Sequence, residues 1–180
     1  MNTDPPLTNP AWSDKFTKPD ESALLDVYGA TDRMYFDGVR AMLAEYEWLE
    51  EELCWNGLPW QWSFAYRNED TPPTEGPAGD AAPAWAYLVP DPNAPIFAFQ
   101  LARGMVEQLP TKRVGKYARE CISSGRVVGQ RRWVTMPLAA KSQVAEVIDL
   151  IKRKHHFELV GEPVARVTAA QREKASPAVS

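Results

Sequence analysis

Aromatic side chains alternate along one short segment of the chain and are the residues best suited to binding chemistry. Residues 60–67 read Trp-Gln-Trp-Ser-Phe-Ala-Tyr-Arg, with an aromatic ring at every even position. This period of two predicts a β-strand with its rings on one face, and aromatic faces bind flat or cationic ligands. We therefore expect a small ligand or a protein partner to bind an aromatic-rich sheet face. The expected ligand-binding residues are Trp60, Trp62, Tyr66, Arg67, Trp85 and Tyr87.

A basic segment offers a second kind of chemistry, the binding of phosphate or nucleic acid. Residues 103–132 carry eight basic side chains and two acidic ones, a balance that favours contact with phosphate groups. The isoelectric point of about 5.3 for the whole chain argues against nucleic-acid binding. The residues of this alternative are Lys112, Arg113, Lys116, Arg119, Arg131 and Arg132.

An acidic run suggests a third chemistry, the binding of iron or another divalent cation. Apolar residues recur at spacings of three and four from Tyr35 to Leu53, which predicts a helix over about 32–54. Carboxylates four residues apart line one helix face, where they can bind a hard cation or simply face solvent. The run is Glu45, Glu47, Glu50, Glu51 and Glu52, and the metal alternative rests on Glu45, Glu47, Glu51 and Glu52.

The histidines and cysteines do not form a catalytic pattern in the sequence. His155 and His156 are adjacent and follow a basic run, where the last predicted helix is expected to fray. Cys54 and Cys121 lie 67 residues apart without a CxxC motif, which is typical of buried structural thiols. We expect no catalytic residues and no cofactor, and we favour a binding or accessory domain over an enzyme.

The remaining pattern predicts the elements that hold these residues. The strands at 84–89 and 95–101 have a short connection, which predicts antiparallel pairing, and the 60–67 strand as a third and a later fourth strand complete a meander. With helices grouped before and after them, they predict an α+β fold: a single antiparallel sheet backed by helices. Helices are predicted at 21–29, 32–54, 103–109, 112–123 and 139–154, and strands at 60–67, 84–89, 95–101 and 131–138.

Length and composition predict one domain with tails. The 180 residues are 44% hydrophobic and 11% aromatic, enough apolar material to exclude wholesale disorder. We expect a flexible arm over 1–20, a domain over 21–158 with an exposed proline-rich loop at 68–83, and a tail over 159–180. Trp12 and Phe16 are candidate docking points for the arm. No signal peptide or membrane span is apparent, so we expect a cytoplasmic protein with reduced cysteines.

Charge is divided unequally along the chain. Residues 1–100 carry 17 acidic and 5 basic side chains, and residues 101–180 carry 7 acidic and 15 basic ones. Such an asymmetry is compatible with a homodimer or with partner docking. Because one domain usually interleaves its halves, we expect the two charges to intermingle.

Several segments together resemble a known family. The chain is similar to the bacterial domain-of-unknown-function family 3788, which is related in pattern to YdhG-like, frataxin-resembling α+β domains. The resemblance covers roughly residues 38–154 and implies an antiparallel sheet backed by helices, with no established reaction. Through frataxin it also implies iron handling on the acidic helix face. The matching segments are 42–53, Gly57, 62–67, 85–90, 96–101, 129–134 and 147–154.

Overall fold

The computed structural model describes residues 8–68, 84–110 and 112–161. The helices are α1 (Pro10–Ser13), α2 (Glu21–Leu25), α3 (Ala30–Ala44), α4 (Arg103–Gln108), α5 (Lys116–Ser124) and α6 (Lys141–Gly161). The strands are β1 (Leu49–Trp55), β2 (Trp62–Asn68), β3 (Ala86–Val89), β4 (Ile96–Ala102), β5 (Arg126–Val128) and β6 (Arg131–Pro137). Most of the predicted loop and tail, at 69–83 and 162–180, lies outside the described residues.

All six strands form one antiparallel sheet in the order β1-β2-β3-β4-β6-β5. The strands β2, β3 and β4 follow one another as a meander, and β6 joins β4 after two intervening helices. The predicted α+β class and the predicted meander with a later strand are confirmed.

The helices pack on one face of this sheet. Buried side chains of α2 to α6 gather in the larger core cluster with Phe64, Phe97 and Phe99 of the sheet. Helix α6 contacts both α3 and α5. The opposite face carries a smaller buried cluster that includes Ala65, Tyr87 and Ala98. Among the described residues the sheet is therefore buried on both sides, by helices α2 to α6 on one and mainly by aromatic side chains on the other.

The prediction of one helix over 32–54 is wrong in its second half. Helix α3 ends at Ala44, and Leu49–Trp55 is the edge strand β1, paired with β2 along its whole length. Leu49 and Leu53 are four residues apart, a spacing that fits one face of a helix and equally one face of a strand. Pairing with β2 decided the outcome, because tertiary contacts override local pattern.

The beginning of the described chain packs against the domain. The Nδ2 group of Asn9 donates to a backbone carbonyl of α2 at 2.9 Å. Trp12 Nε1 donates to the carbonyl of Trp62 at 2.9 Å, and Trp62 Nε1 donates to the carbonyl of Asp14 at 2.6 Å. Trp12 docks as predicted, whereas Phe16 remains 86% exposed.

The two oppositely charged halves of the chain stay apart in the sheet. Strands β1 to β3 form one side, and β6 and β5 form the other. The expectation that the halves intermingle is therefore wrong for the sheet, whereas in the helical layer α6 of the second half packs against α3 of the first. The edge strand β1 carries Glu50, Glu51 and Glu52, while the two strands on the opposite side carry Arg126 (β5) and Arg131 and Arg132 (β6).

Candidate functional site

The structure divides the predicted aromatic surface into three places. Trp62 and Tyr66 face the helices and are 7% and 2% exposed, so they belong to the core. Tyr87 pairs with Ala65 and lies on the opposite face, and Trp60 packs against it there. The prediction that the even-numbered rings of 60–67 share one face is therefore wrong for Trp60, which precedes β2.

Three rings pack together on the face of the sheet opposite helices α2 to α6. The ring centroids of Trp60 and Tyr87 lie 5.0 Å apart, those of Trp60 and Trp133 5.2 Å, and those of Tyr87 and Trp133 6.0 Å. The rings pack over Ala65 and Ala98, two small residues of the sheet. The three pairs are tilted, and Trp60 and Trp133 are only partly buried, so the cluster is explained as packing over the sheet. Arg67 forms an ion pair with Glu52 of the neighbouring strand at 3.7 Å.

Trp85 belongs to a third group, which combines aromatic rings with charged side chains. The turn between α3 and β1 supplies two residues, the segment before β3 supplies one, and helix α6 supplies three. We call this group the aromatic–lysine site: Tyr46, Trp48, Trp85, Lys154, His155 and Glu158. Of these residues only Trp85 was among the predicted ligand-binding residues.

Lys154 is the most deeply buried charged group of this site. It is 4% exposed, and its Nζ lies 4.5 Å from the centroid of the Trp85 ring. Nζ donates to Glu158 Oε1 at 2.5 Å, the one oxygen among the described residues that accepts from it, although an ammonium has three N–H donors. Burial lowers the pKa of Lys154, and the nearby Glu158 carboxylate opposes that shift.

Glu158 receives two donors at once. While Lys154 binds Oε1, the indole Nε1 of Trp85 donates to Oε2 at 2.5 Å. The Glu158 side chain is 41% exposed, against 5% for Lys154. An ammonium and an indole N–H therefore bind both oxygens of one carboxylate at the rim of the domain.

His155 has a defined setting inside the same site. Its ring is nearly parallel to that of Trp48, at an interplanar angle of 11°, and lies 4.2 Å from the Tyr46 ring. Trp48 Nε1 donates to His155 Nε2 at 3.3 Å, which requires Nε2 to be unprotonated. Burial lowers the pKa of His155. The expectation that the histidines lie at a fraying end is wrong, because α6 continues to Gly161.

The residues of the phosphate alternative gather mostly around α5. Lys112, Arg113, Lys116 and Arg119 are exposed on α5 or just before it. Arg132 reaches the end of that helix, and its Nη1 donates to the carbonyl of Ile122 at 2.8 Å. Arg131 does not join them, because it points to the opposite face of β6 and donates to Gln100 at 3.1 Å.

The acidic run does not form the predicted helix face. Glu51 accepts from Arg40 and from the Tyr66 hydroxyl, which binds it at 2.6 Å. Glu50 and Glu52 alternate with Glu51 along β1 and therefore point to the other face. Within the described residues no group of three or more histidine, cysteine or acidic side chains is arranged to hold a metal ion.

Both cysteines are free thiols. Cys54 lies on β1 rather than on the predicted helix, and Cys121 lies on α5. Burial raises the pKa of Cys121, which disfavours the nucleophilic thiolate.

Comparison with protein-family models, with curated proteins and with solved structures finds no match to this chain. The resemblance to the domain-of-unknown-function family and to YdhG-like domains therefore stays a prediction. No helix in the described residues combines the length and the apolar character needed to cross a bilayer.

Proposed function

We propose that this protein is a binding domain whose aromatic–lysine site takes a flat organic anion. The observation that carries the proposal is the pair of donors, Lys154 Nζ and Trp85 Nε1, that converge on one carboxylate between aromatic rings. Charge-assisted hydrogen bonds of this kind are stronger than neutral ones. The chemistry that holds the Glu158 carboxylate is the chemistry that would hold a ligand carboxylate.

Glu158 acts in this proposal as an internal occupant of the site. Its side chain is 41% exposed and lies in the last turn of α6, so it can leave the two donors without uncovering the core. A ligand carboxylate then replaces it at Lys154, and the buried ammonium keeps a negative partner throughout. The half-buried rings of Trp48 and Trp85 offer apolar surface to the body of the ligand.

The test is calorimetric titration with 2-naphthoate, a flat carboxylate, and with the uncharged 2-naphthamide. Lys154→Met removes the charge and keeps most of the stem, and we expect it to weaken naphthoate binding about tenfold or more while the amide is unaffected. Glu158→Ala removes the competing carboxylate and should strengthen naphthoate binding. Lys152→Met is the matched control, because Lys152 is exposed on the same helix. Equal naphthoate affinities in the Lys154 and Lys152 variants would contradict the proposal.

A second candidate function is phosphate or nucleic-acid binding at α5. It is favoured by the gathering of five of the six selected basic side chains around that helix. Affinity for an oligonucleotide should then fall steeply with salt, because phosphate contacts release counterions. Lys116→Ala combined with Arg119→Ala should reduce the salt slope, and an unchanged slope would exclude this surface.

A further inference from the structure

A cavity of about 250 Å³ lies beside α5, away from the aromatic–lysine site. Val106 of α4 and Leu109, which follows that helix, line it on one side. Val114 and Ile122, before and within α5, line it on the other. Both residues of the first pair are only partly buried, so the cavity has an apolar wall that remains open to solvent. We call it the α4–α5 cavity.

A cation is fixed at the wall of this cavity. Arg132 lines it, and its Nη1 donates to the carbonyls of Ile122 and Ser123 at 2.8 and 3.3 Å. These two bonds hold the guanidinium at the end of α5, where the helix dipole also favours a cation. A guanidinium carries five N–H donors, and within the described residues only Nη1 of Arg132 is bonded. Arg119 and Ser123 complete the polar part of the lining.

We propose that the α4–α5 cavity binds a small amphipathic anion, with a short hydrocarbon body against the apolar wall and a carboxylate on Arg132. Arg132, Arg119 and Ser123 form the polar part of the lining, and four aliphatic side chains form the rest, which matches a ligand with the same division. Carbonyl groups leave the charge of Arg132 uncompensated, whereas Lys154 is already paired with a carboxylate. The inference is independent of the aromatic–lysine site and goes beyond the function proposed for it.

The volume of this open cavity suits a short ligand. At about 30 Å³ for each water-sized group, 250 Å³ holds roughly eight such groups. The volume is also smaller than the roughly 300–1,000 Å³ of sites for drug-sized molecules. Hexanoate, with six carbons and two oxygens, fits this description and has an uncharged counterpart in 1-hexanol.

The test is a titration of the ¹⁵N-labelled protein with sodium hexanoate, followed by amide chemical shifts. We expect saturable shifts at Val114, Ile122 and Ser123, and contacts between the ligand methyl group and Val106 or Leu109 in nuclear Overhauser spectra. Arg132→Met should weaken hexanoate about tenfold and leave hexanol unchanged. Arg131→Met is the matched control, since Arg131 lies on the same strand but on its opposite face.

Three results would overturn the inference. The first is that hexanoate causes no saturable amide shift. The second is that the shifts centre on Trp48 and Trp85, and the third is that Arg132→Met leaves the affinity for hexanoate unchanged. If the Arg132 variant fails to fold, the Overhauser contacts in the unmodified protein still decide. Lys154→Met should leave hexanoate binding intact, so failure here and failure of the aromatic–lysine site are distinguishable.

Discussion

Removal of the Glu158 carboxylate should destabilise the protein strongly, because it leaves a buried ammonium without its partner. Lys154 is 4% exposed, and Glu158 is the one hydrogen-bond acceptor that the described residues give it. Breaking one side of a buried ion pair typically costs about 3–5 kcal/mol. The Trp85 ring, 4.5 Å from Nζ, remains in Glu158→Ala and retains part of the stabilisation.

The stability that Glu158→Ala can lose has an upper limit, which is set by deprotonation of Lys154. An amine with an ordinary pKa of about 10.4 can be neutralised at pH 7 for about 4.6 kcal/mol, at 1.36 kcal/mol for each pH unit. The loss cannot exceed this value by much, because the folded protein would then release the proton. We expect a loss of about 2–4 kcal/mol, which lowers the melting temperature by roughly 5–12 °C for a chain of this size.

The pH dependence distinguishes this mechanism from simple loss of a contact. Burial holds the pKa of Lys154 below its ordinary value in the folded state, so the unfolded state binds more protons between the two values. Stability from this group therefore rises as the pH rises toward 10. The difference between Glu158→Ala and the unmodified protein should shrink over pH 7–10 in chemical denaturation.

Two further variants make the prediction refutable. Lys154→Met combined with Glu158→Ala removes both charges and should return to within about 1 kcal/mol of the unmodified protein. Glu120→Ala is the control, because Glu120 and Lys116 form an exposed pair at 3.8 Å that is worth at most about 1 kcal/mol. A Glu158→Ala variant as stable as the control, or a double variant as unstable as Glu158→Ala, would refute the proposed role of the buried ammonium.

Three other changes test different parts of the structure. Gly115→Ala should destabilise the protein by about 1–2 kcal/mol in thermal melts. The added Cβ would lie 2.1 Å from the carboxyl carbon of Glu146, and Oε2 of that carboxylate accepts an N–H of α5 at 2.7 Å. Unchanged stability would contradict this. Burial lowers the pKa of His155, so its contribution to stability falls as the pH drops through that pKa. His155→Gln should therefore flatten the acid side of the stability profile, and an unchanged profile would contradict this. Arg40→Met should cost about 1–3 kcal/mol in urea denaturation, since Arg40 binds carboxylates of both α2 and β1; a loss below 0.5 kcal/mol would show that this network is dispensable.

The strands whose pattern is simple could be predicted from the sequence. Residues 60–67 alternate, and the two segments on either side of Pro90 are apolar runs with a short connection, so β2, β3 and β4 were assigned correctly. Strand β1 could not be, because its Leu49 and Leu53 fit both periods and the acidic run looked like a solvated helix face. Strand β5 has three exposed residues, too few to produce a pattern.

The composition of the aromatic–lysine site could not be predicted, and the reason is topological. Tyr46 and Trp48 were placed within a helix, where they would not have met Trp85 or α6. The end of α6 was set at residue 154, which removed Glu158 from the helical register of Lys154. A usable signal did exist: Lys154 and Glu158 stand four residues apart, and extending the helix by one turn would have paired them.

The two candidate sites present different net charges to a ligand, because Lys154 and Arg132 are bonded to different kinds of group. At Lys154 the partner is a carboxylate, so an incoming anion exchanges with Glu158 and the net charge of the pair stays near zero. At Arg132 the partners are backbone carbonyls, so an incoming anion meets an uncompensated positive charge. The attraction between Arg132 and an anion should therefore weaken with added salt, because Arg132 is only partly buried. At the buried Lys154, the exchange of Glu158 for a ligand should depend mainly on how well the ligand replaces the two hydrogen bonds of Glu158. We therefore expect anionic ligands with large flat bodies to prefer the first site, through contact with the rings, and small aliphatic anions to prefer the second, through charge and volume.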